Sequence, residues 1–356
     1  MEGSIIDILI FAPLAPILGV LLFWFIQLLF IESEKYLLTK IRPKHEPLCK
    51  FTNFLGILFQ TICHALGFTV TKSGITDFYI SVDYGKVAPK KEKKGVFEWI
   101  ANAFLFIGPF FIPAFLLILG LIFLPINFEI ANPSQFLELK YTFGGQLTAF
   151  GASLFAFVKS FFDFLFTIDL LHPGHFGFIL LMIFLGMGIR PSYIGEKKQE
   201  KVDMLYDLKN IWSLLRQKPL YLVILMLISY VIFYISLFFN QNWHVAIFVT
   251  FGWLSIVSIV SILIANMLLY LIKITDEIPG LWRFIPYLTL PISYVLIRLF
   301  FFYFPIDFIT TISLIVMILT TVVVTFLLLY HKTNRFKSKL DIKLFKKKDK
   351  VETDEK

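Results

Sequence analysis

The sequence predicts an all-α polytopic membrane protein with about seven to eight membrane segments and a small β element after the second segment. Hydrophobic residues fill 58% of the 356 positions, and charged residues fill only 16%. Several charge-free runs exceed the roughly 20 residues that a membrane-spanning helix requires. One short segment between the second and third runs instead alternates polar and apolar residues, a pattern typical of a strand.

The charge pattern indicates which partners to expect. The formal net charge of +8 is concentrated in loops and in the C-terminal tail, where basic residues mark the cytoplasmic side of a membrane protein. We therefore predict the lipid bilayer as a partner, no nucleic acid, and a multi-pass protein of the cell membrane with a cytoplasmic C-terminus. The two cysteines, Cys49 and Cys63, are too few for a disulfide framework and fit small buried hydrophobic positions.

The apolar runs give the order of the segments. Pro13 and Pro16 should kink the first half of the first span. Residues 150–171 are ambiguous because charges interrupt them, and we expect one crossing between residues 147 and 189. The predicted segments are 5–31, 51–68, 99–124, 150–171, 176–189, 219–239, 244–272, 284–303 and 308–330.

The second segment, residues 51–68, has basic residues on both sides. Because both ends then lie in the cytoplasm, we expect this helix to enter and return, or to end at mid-depth with the next segment folding back. That next segment is the predicted strand at residues 77–84, bracketed by Gly74 and Gly85.

The second segment also contains Gln60-Thr61-Ile62-Cys63-His64. In the H-E-x-x-H motif of zinc metalloproteases, two histidines one helical turn apart bind zinc and the glutamate acts as general base. Gln60 and Thr61 occupy the first two positions here, so only the last ligand, His64, is present.

Two further stretches, later in the chain, carry short motifs. Ile107-Gly108-Pro109 lies in the third segment, and Gly188-Ile189-Arg190-Pro191-Ser192 follows the segment 176–189. Together with the motif-like helix and the strand after it, they resemble the site-2-protease family of intramembrane zinc metalloproteases, especially its compact archaeal relatives. The resemblance covers roughly residues 50–200.

The resemblance implies a protease-like core without protease chemistry. In the A-P-S-x-x-D stretch of those relatives the aspartate is a plausible third metal ligand; here Gly195 takes its place and Glu196 comes one residue later. Zinc hydrolysis requires three protein ligands and a general base, and Thr61 cannot act as that base at neutral pH. We predict a catalytically inactive protein with no cofactor that binds or regulates other membrane proteins.

Two alternatives belong to other functional classes. An active metalloprotease with a rearranged zinc site would use His64, His172, His175 and Asp169. A membrane carrier or channel would use Lys159, Asp163 and Arg298, which are ionisable residues inside or beside apolar runs.

The proposed binding element is the strand. An exposed strand edge can hold an extended peptide by main-chain hydrogen bonds without any metal, so transmembrane or juxtamembrane segments of other proteins are the expected partners. Its candidate binding residues are Tyr79, Ser81 and Asp83. By resemblance and charge we divide the chain into 1–50 (first span), 51–200 (protease-like core), 201–330 (a cytoplasmic connection and four-span bundle) and 331–356 (basic cytoplasmic tail).

Overall fold

The computed structural model describes residues 4–82, 85–91, 95–124, 128, 140–189, 209, 212–213, 216, 219–303 and 308–354. A π-helical turn at Asp7–Phe11 and a 3-10 turn at Ala12–Leu14 precede the first helix. The helices and strands, in chain order, are α1 Ala15–Ile41, α2 Glu46–Val70, β1 Ile75–Ile80, β2 Gly85–Pro89, α3 Val96–Phe123, α4 Phe143–Phe166, α5 Pro173–Gly186, α6 Leu220–Phe238, α7 Trp243–Thr275, α8 Ile285–Phe300 and α9 Ile309–Asp354.

The predicted fold class is confirmed at the level of a mostly helical, multi-pass membrane protein with a small sheet. Six helices in the described part of the chain are long and apolar enough to cross a membrane, and three shorter apolar helices accompany them. The sheet consists of β1 and β2 paired antiparallel, with Phe78 opposite Val87 and Tyr79 opposite Lys86.

Two elements differ in extent from the predicted segments. The helix that contains most of the first predicted span continues past position 31 to Ile41. In this extension Glu32 and Lys35 are buried, with 3.7 Å between Lys35 Nζ and Glu32 Oε1. The predicted strand at 77–84 is β1, which starts at Ile75 and stops at Ile80.

Between residues 147 and 189, where we expected one crossing, there are two helices. α4 is a 24-residue candidate span, whereas the 14-residue α5 measures about 21 Å and is shorter than a bilayer core. The basic tail from residue 331 continues α9 as a helix to Asp354.

The chain packs as two units. The first contains Met1–Leu165 and Leu170–Leu269, and the second contains Phe166–Asp169 and Tyr270–Lys356. This division follows packing; the four-part division based on resemblance and charge stays a prediction.

Glycines bring the helices of the first unit close together. A Cβ at Gly67 would lie 2.9 Å from the Ala101 carbonyl oxygen, and one at Gly186 would lie 2.5 Å from that of Ser261. α2 therefore approaches α3, and α5 approaches α7, at backbone contact distance. This is how membrane helices pack where lipid supplies no hydrophobic driving force between them.

Side chains of α6 bind carbonyls in the irregular turn before α1. The Tyr234 hydroxyl donates to Leu9 O at 2.5 Å and the Tyr230 hydroxyl donates to Ile10 O at 2.6 Å. Pro13 has no N–H to give to the turn before it. The tyrosines thus satisfy carbonyls that the proline-containing turn leaves without helical partners, as a membrane interior demands.

The second unit is built around α8 and α9, which pack against each other. The Asp169 carboxylate accepts from Arg298 at 2.6 Å and from the Tyr294 hydroxyl at 2.9 Å. The Thr311 hydroxyl donates to Phe166 O at 2.7 Å. These bonds fasten the short segment Phe166–Asp169 to both helices.

We predict that Gly186→Ala destabilises the protein by about 1–3 kcal/mol, because the new methyl group would overlap a backbone atom that has no rotamer to change. Gly177→Ala is the matched control in the same helix, since a Cβ there meets nothing within 4 Å. This control should be neutral or slightly stabilising, as alanine favours helix over glycine.

Thermal unfolding of the purified protein measures both variants. Cys49 and Cys63 are free and buried, so a thiol-reactive dye reports the transition. Equal unfolding temperatures for the two variants would contradict the close approach of α5 to α7.

Candidate functional site

The motif-like residues lie on α2, beside the hairpin. α2 ends where the Thr71 N–H bonds the Gly67 carbonyl, and Lys72 and Gly74 then take positive φ angles of 53° and 68° to turn the chain. The hairpin runs back along α2 far enough for Gly85 to reach Thr61, about 14 Å before the helix end. The segment after α2 therefore folds back on it, as one of the two predicted arrangements requires.

Thr61, which the predicted resemblance aligns with the general base of the motif, is packed tightly. It is 4% exposed, and its hydroxyl donates to Ile57 O of its own helix at 2.7 Å. Gly85 lies so close that a Cβ there would sit 2.0 Å from Thr61 Oγ1 and 3.0 Å from a methyl group of Ile57. The start of β2 thus covers Thr61 and leaves no space beside its side chain.

Gln60 and His64 lie one helical turn apart and are half-buried. The His64 ring packs edge-on against Phe68 with 5.5 Å between ring centroids. Cys63 is fully buried against Gly108 of α3, where a Cβ would approach its Sγ to 2.5 Å. The Gly-Pro of the third segment therefore serves close packing of α3 on the motif helix.

The side chains in the described part of the chain do not fit a zinc site. Nowhere in the described ranges do three His, Cys, Asp or Glu side chains form a group that could hold a metal ion. His64, His172, His175 and Asp169 accordingly do not assemble as the alternative zinc site requires. Gly195, which the predicted resemblance aligns with an aspartate, and Glu196 lie outside the described residues.

His172 and His175 have a structural role. His172 caps the N-terminus of α5, because its Nδ1 accepts the His175 backbone N–H at 3.4 Å. The centroids of the two imidazole rings lie 4.6 Å apart, and the His175 ring also packs edge-on against Phe164. Asp169, the predicted carboxylate ligand, is instead the partner of Arg298 and Tyr294.

The residues of the carrier alternative are not gathered along one buried path. Lys159 and Asp163 lie on the exposed side of α4. Arg298 binds Asp169 with both side chains about one-quarter exposed, so its charge is neutralised locally.

The three candidate binding residues have different positions. Tyr79 lies in β1 with half of its side chain exposed, opposite Lys86. Ser81 follows the end of β1, and Asp83 lies outside the described residues. Phe78, which we did not single out, is as exposed as Tyr79.

Sequence reasoning missed a buried polar network around His244. Gln146 donates its amide to Lys140 O at 3.0 Å, so its oxygen faces His244 Nδ1 at 3.3 Å as an acceptor. His244 then carries its proton on Nδ1 and accepts from the Ser229 hydroxyl at Nε2, 3.0 Å away. This neutral chain joins α4, α6 and α7. The available signal was a histidine at the first position of the predicted span 244–272.

A second missed feature lies on α1. Gln27 is fully buried and donates to Ser258 Oγ at 2.7 Å and to Phe110 O at 3.3 Å. Glu32, Glu34 and Lys35 are also buried, one to two turns further on. A glutamine within an apolar run was the signal in the sequence, since polar residues at membrane depth usually have a role.

No protein-family model, curated protein or solved structure matches the chain. The relationship to site-2 proteases thus stays a prediction from the quoted residues.

We predict that Gly85→Ala destabilises the protein by about 1–3 kcal/mol, because the methyl group would overlap the short, β-branched side chain of Thr61. Thr61→Ala removes the overlapping oxygen, so the double variant should regain part of the lost stability. Gly151→Ala is the control, since a Cβ there meets nothing within 4 Å.

The thiol-dye unfolding temperature measures all four variants. Failure of Thr61→Ala to improve the Gly85→Ala protein, or an equal loss at Gly151, would contradict the contact between hairpin and motif helix.

Proposed function

We propose that the protein is a catalytically inactive, site-2-protease-like membrane protein that binds extended segments of other membrane proteins along β1. The observation that carries this proposal is the hairpin beside α2. It covers the general-base position with β2 and leaves Phe78 and Tyr79 of β1 half exposed.

Backbone chemistry supports binding along this strand. In the described part of the chain the sheet has two strands, so β1 has one edge without a neighbouring strand. The hairpin lies along a helix that is a candidate membrane span, and hydrocarbon cannot satisfy backbone N–H and C=O groups. An added strand from a partner would form hydrogen bonds with the backbone N–H and C=O groups at this edge of β1, as in β-augmentation.

The side chains of the hairpin suggest the chemistry of the partner. Ile75, Phe78 and Tyr79 offer exposed apolar surface on β1. The exposed Asp77 and Lys86 pair across the two strands at 3.2 Å and so neutralise each other. An apolar, extended segment at the end of a transmembrane helix fits this surface better than a charged one.

Crosslinking from Tyr79 tests the proposal. A photoreactive phenylalanine at position 79 of the full chain, irradiated in native membranes, should couple to protein segments bordering transmembrane helices of a partner. Position 115 on α3 is the matched control, because Phe115 is 51% exposed against 50% for Tyr79. Coupling to lipid alone, or equal protein coupling from both positions, would count against the proposal.

Metal content tests the inactive state separately. Mass spectrometry of the detergent-purified protein should find no stoichiometric zinc in the wild type or in His64→Ala, because Gln60 and Thr61 replace a ligand and the base. Stoichiometric zinc that is lost in His64→Ala would instead support the active metalloprotease.

A further inference from the structure

The base of the hairpin brings three lysines to the end of α2. Lys72 lies just past the C-terminus of the helix and has a positive φ angle of 53°. The Lys90 N–H donates to Gly74 O at 3.1 Å, and the Lys91 N–H donates to Ser73 O at 3.0 Å. These backbone bonds hold the end of the hairpin beside the turn that contains Lys72, although the two segments are distant in the sequence.

The charges of the three lysines are not neutralised within the described part of the chain. All three residues are exposed, and none of them forms an ion pair with a described residue. Lys86 of the same hairpin, by contrast, pairs with Asp77 at 3.2 Å. The first turn of α3, which follows the hairpin, contributes one carboxylate, Glu98. The base of the hairpin therefore has a net positive charge, which attracts an anion.

Exposed apolar surface adjoins these charges. α2 is a candidate membrane span that ends at Val70, so its last turn reaches the level of the lipid headgroups. Val70 is 57% exposed and Leu66 is 40% exposed, and they lie one helical turn apart on the same side of the helix. Apolar surface that leads to a group of lysines at the membrane boundary matches a phospholipid with a negative headgroup. A free phosphate ion would use the lysines alone.

We propose that Lys72, Lys90 and Lys91 bind the headgroup of an anionic phospholipid whose acyl chains lie against Leu66 and Val70. Each lysine close to an anionic membrane surface strengthens binding about fivefold. The bound lipid holds the base of the hairpin at the membrane boundary. The site is separate from the exposed edge of β1 and does not depend on the proposed function.

Photocrosslinking next to the lysines tests the site. The full chain, with a photoreactive phenylalanine at position 70, is reconstituted in bilayers of equal amounts of phosphatidylglycerol and phosphatidylcholine. We expect position 70 to label phosphatidylglycerol several-fold more than phosphatidylcholine. Position 115 on α3 is the control, because Phe115 is 51% exposed against 57% for Val70. This control should label the two lipids equally.

Substitution of the lysines assigns the preference to their charge. The combined variant Lys72→Gln, Lys90→Gln and Lys91→Gln should label both lipids equally from position 70. Substitution of three tail lysines by glutamine, at positions 346, 347 and 348, removes the same net charge elsewhere in the chain and should leave the preference unchanged. Excess inorganic phosphate should not compete, because it has no acyl chains.

Three results would overturn the proposal. The first is equal labelling of the two lipids from position 70 in the otherwise unchanged chain. The second is a preference that persists when Lys72, Lys90 and Lys91 are replaced. The third is a preference that inorganic phosphate abolishes, which would assign the lysines to a free anion rather than to a lipid.

Discussion

A backbone carbonyl in the interior of a membrane has no water to bond, and this constraint accounts for much of the first unit. Where the proline-containing turn before α1 breaks the helical pattern, Tyr230 and Tyr234 reach its carbonyls. Gln27 reaches the carbonyl of Phe110 in α3, and Asn266 reaches that of Phe30 in α1. Polar side chains that look isolated in the sequence therefore tie helices together through the backbone.

The helical architecture could be predicted because it depends on local properties. Long apolar runs lie in helices since spanning the membrane requires internal backbone bonding, and Gly74 marks the turn because it takes a positive φ angle. The end of α1 could not be predicted in this way. Charged residues usually mark a membrane boundary, but Glu32 and Lys35 neutralise each other inside the protein. That pairing depends on burial, which hydropathy alone does not reveal.

For the same reason, only part of the candidate site could be predicted from the sequence. The apolar run predicted the motif-like helix, and the alternation of polar and apolar residues predicted a strand after it. The contact of Gly85 with Thr61 depends on how the hairpin folds back, and the His244 network depends on three helices that are distant in the sequence. The alternation across residues 77–84 extended the predicted strand too far, because β1 ends at Ile80.

The contact between Thr61 and Gly85 also constrains how the sequence can evolve. Glutamate is larger than threonine, and Gly85 at the start of β2 already lies against Thr61. A change to glutamate at position 61 would require the hairpin to move, so we expect substitutions at positions 61 and 85 to be epistatic.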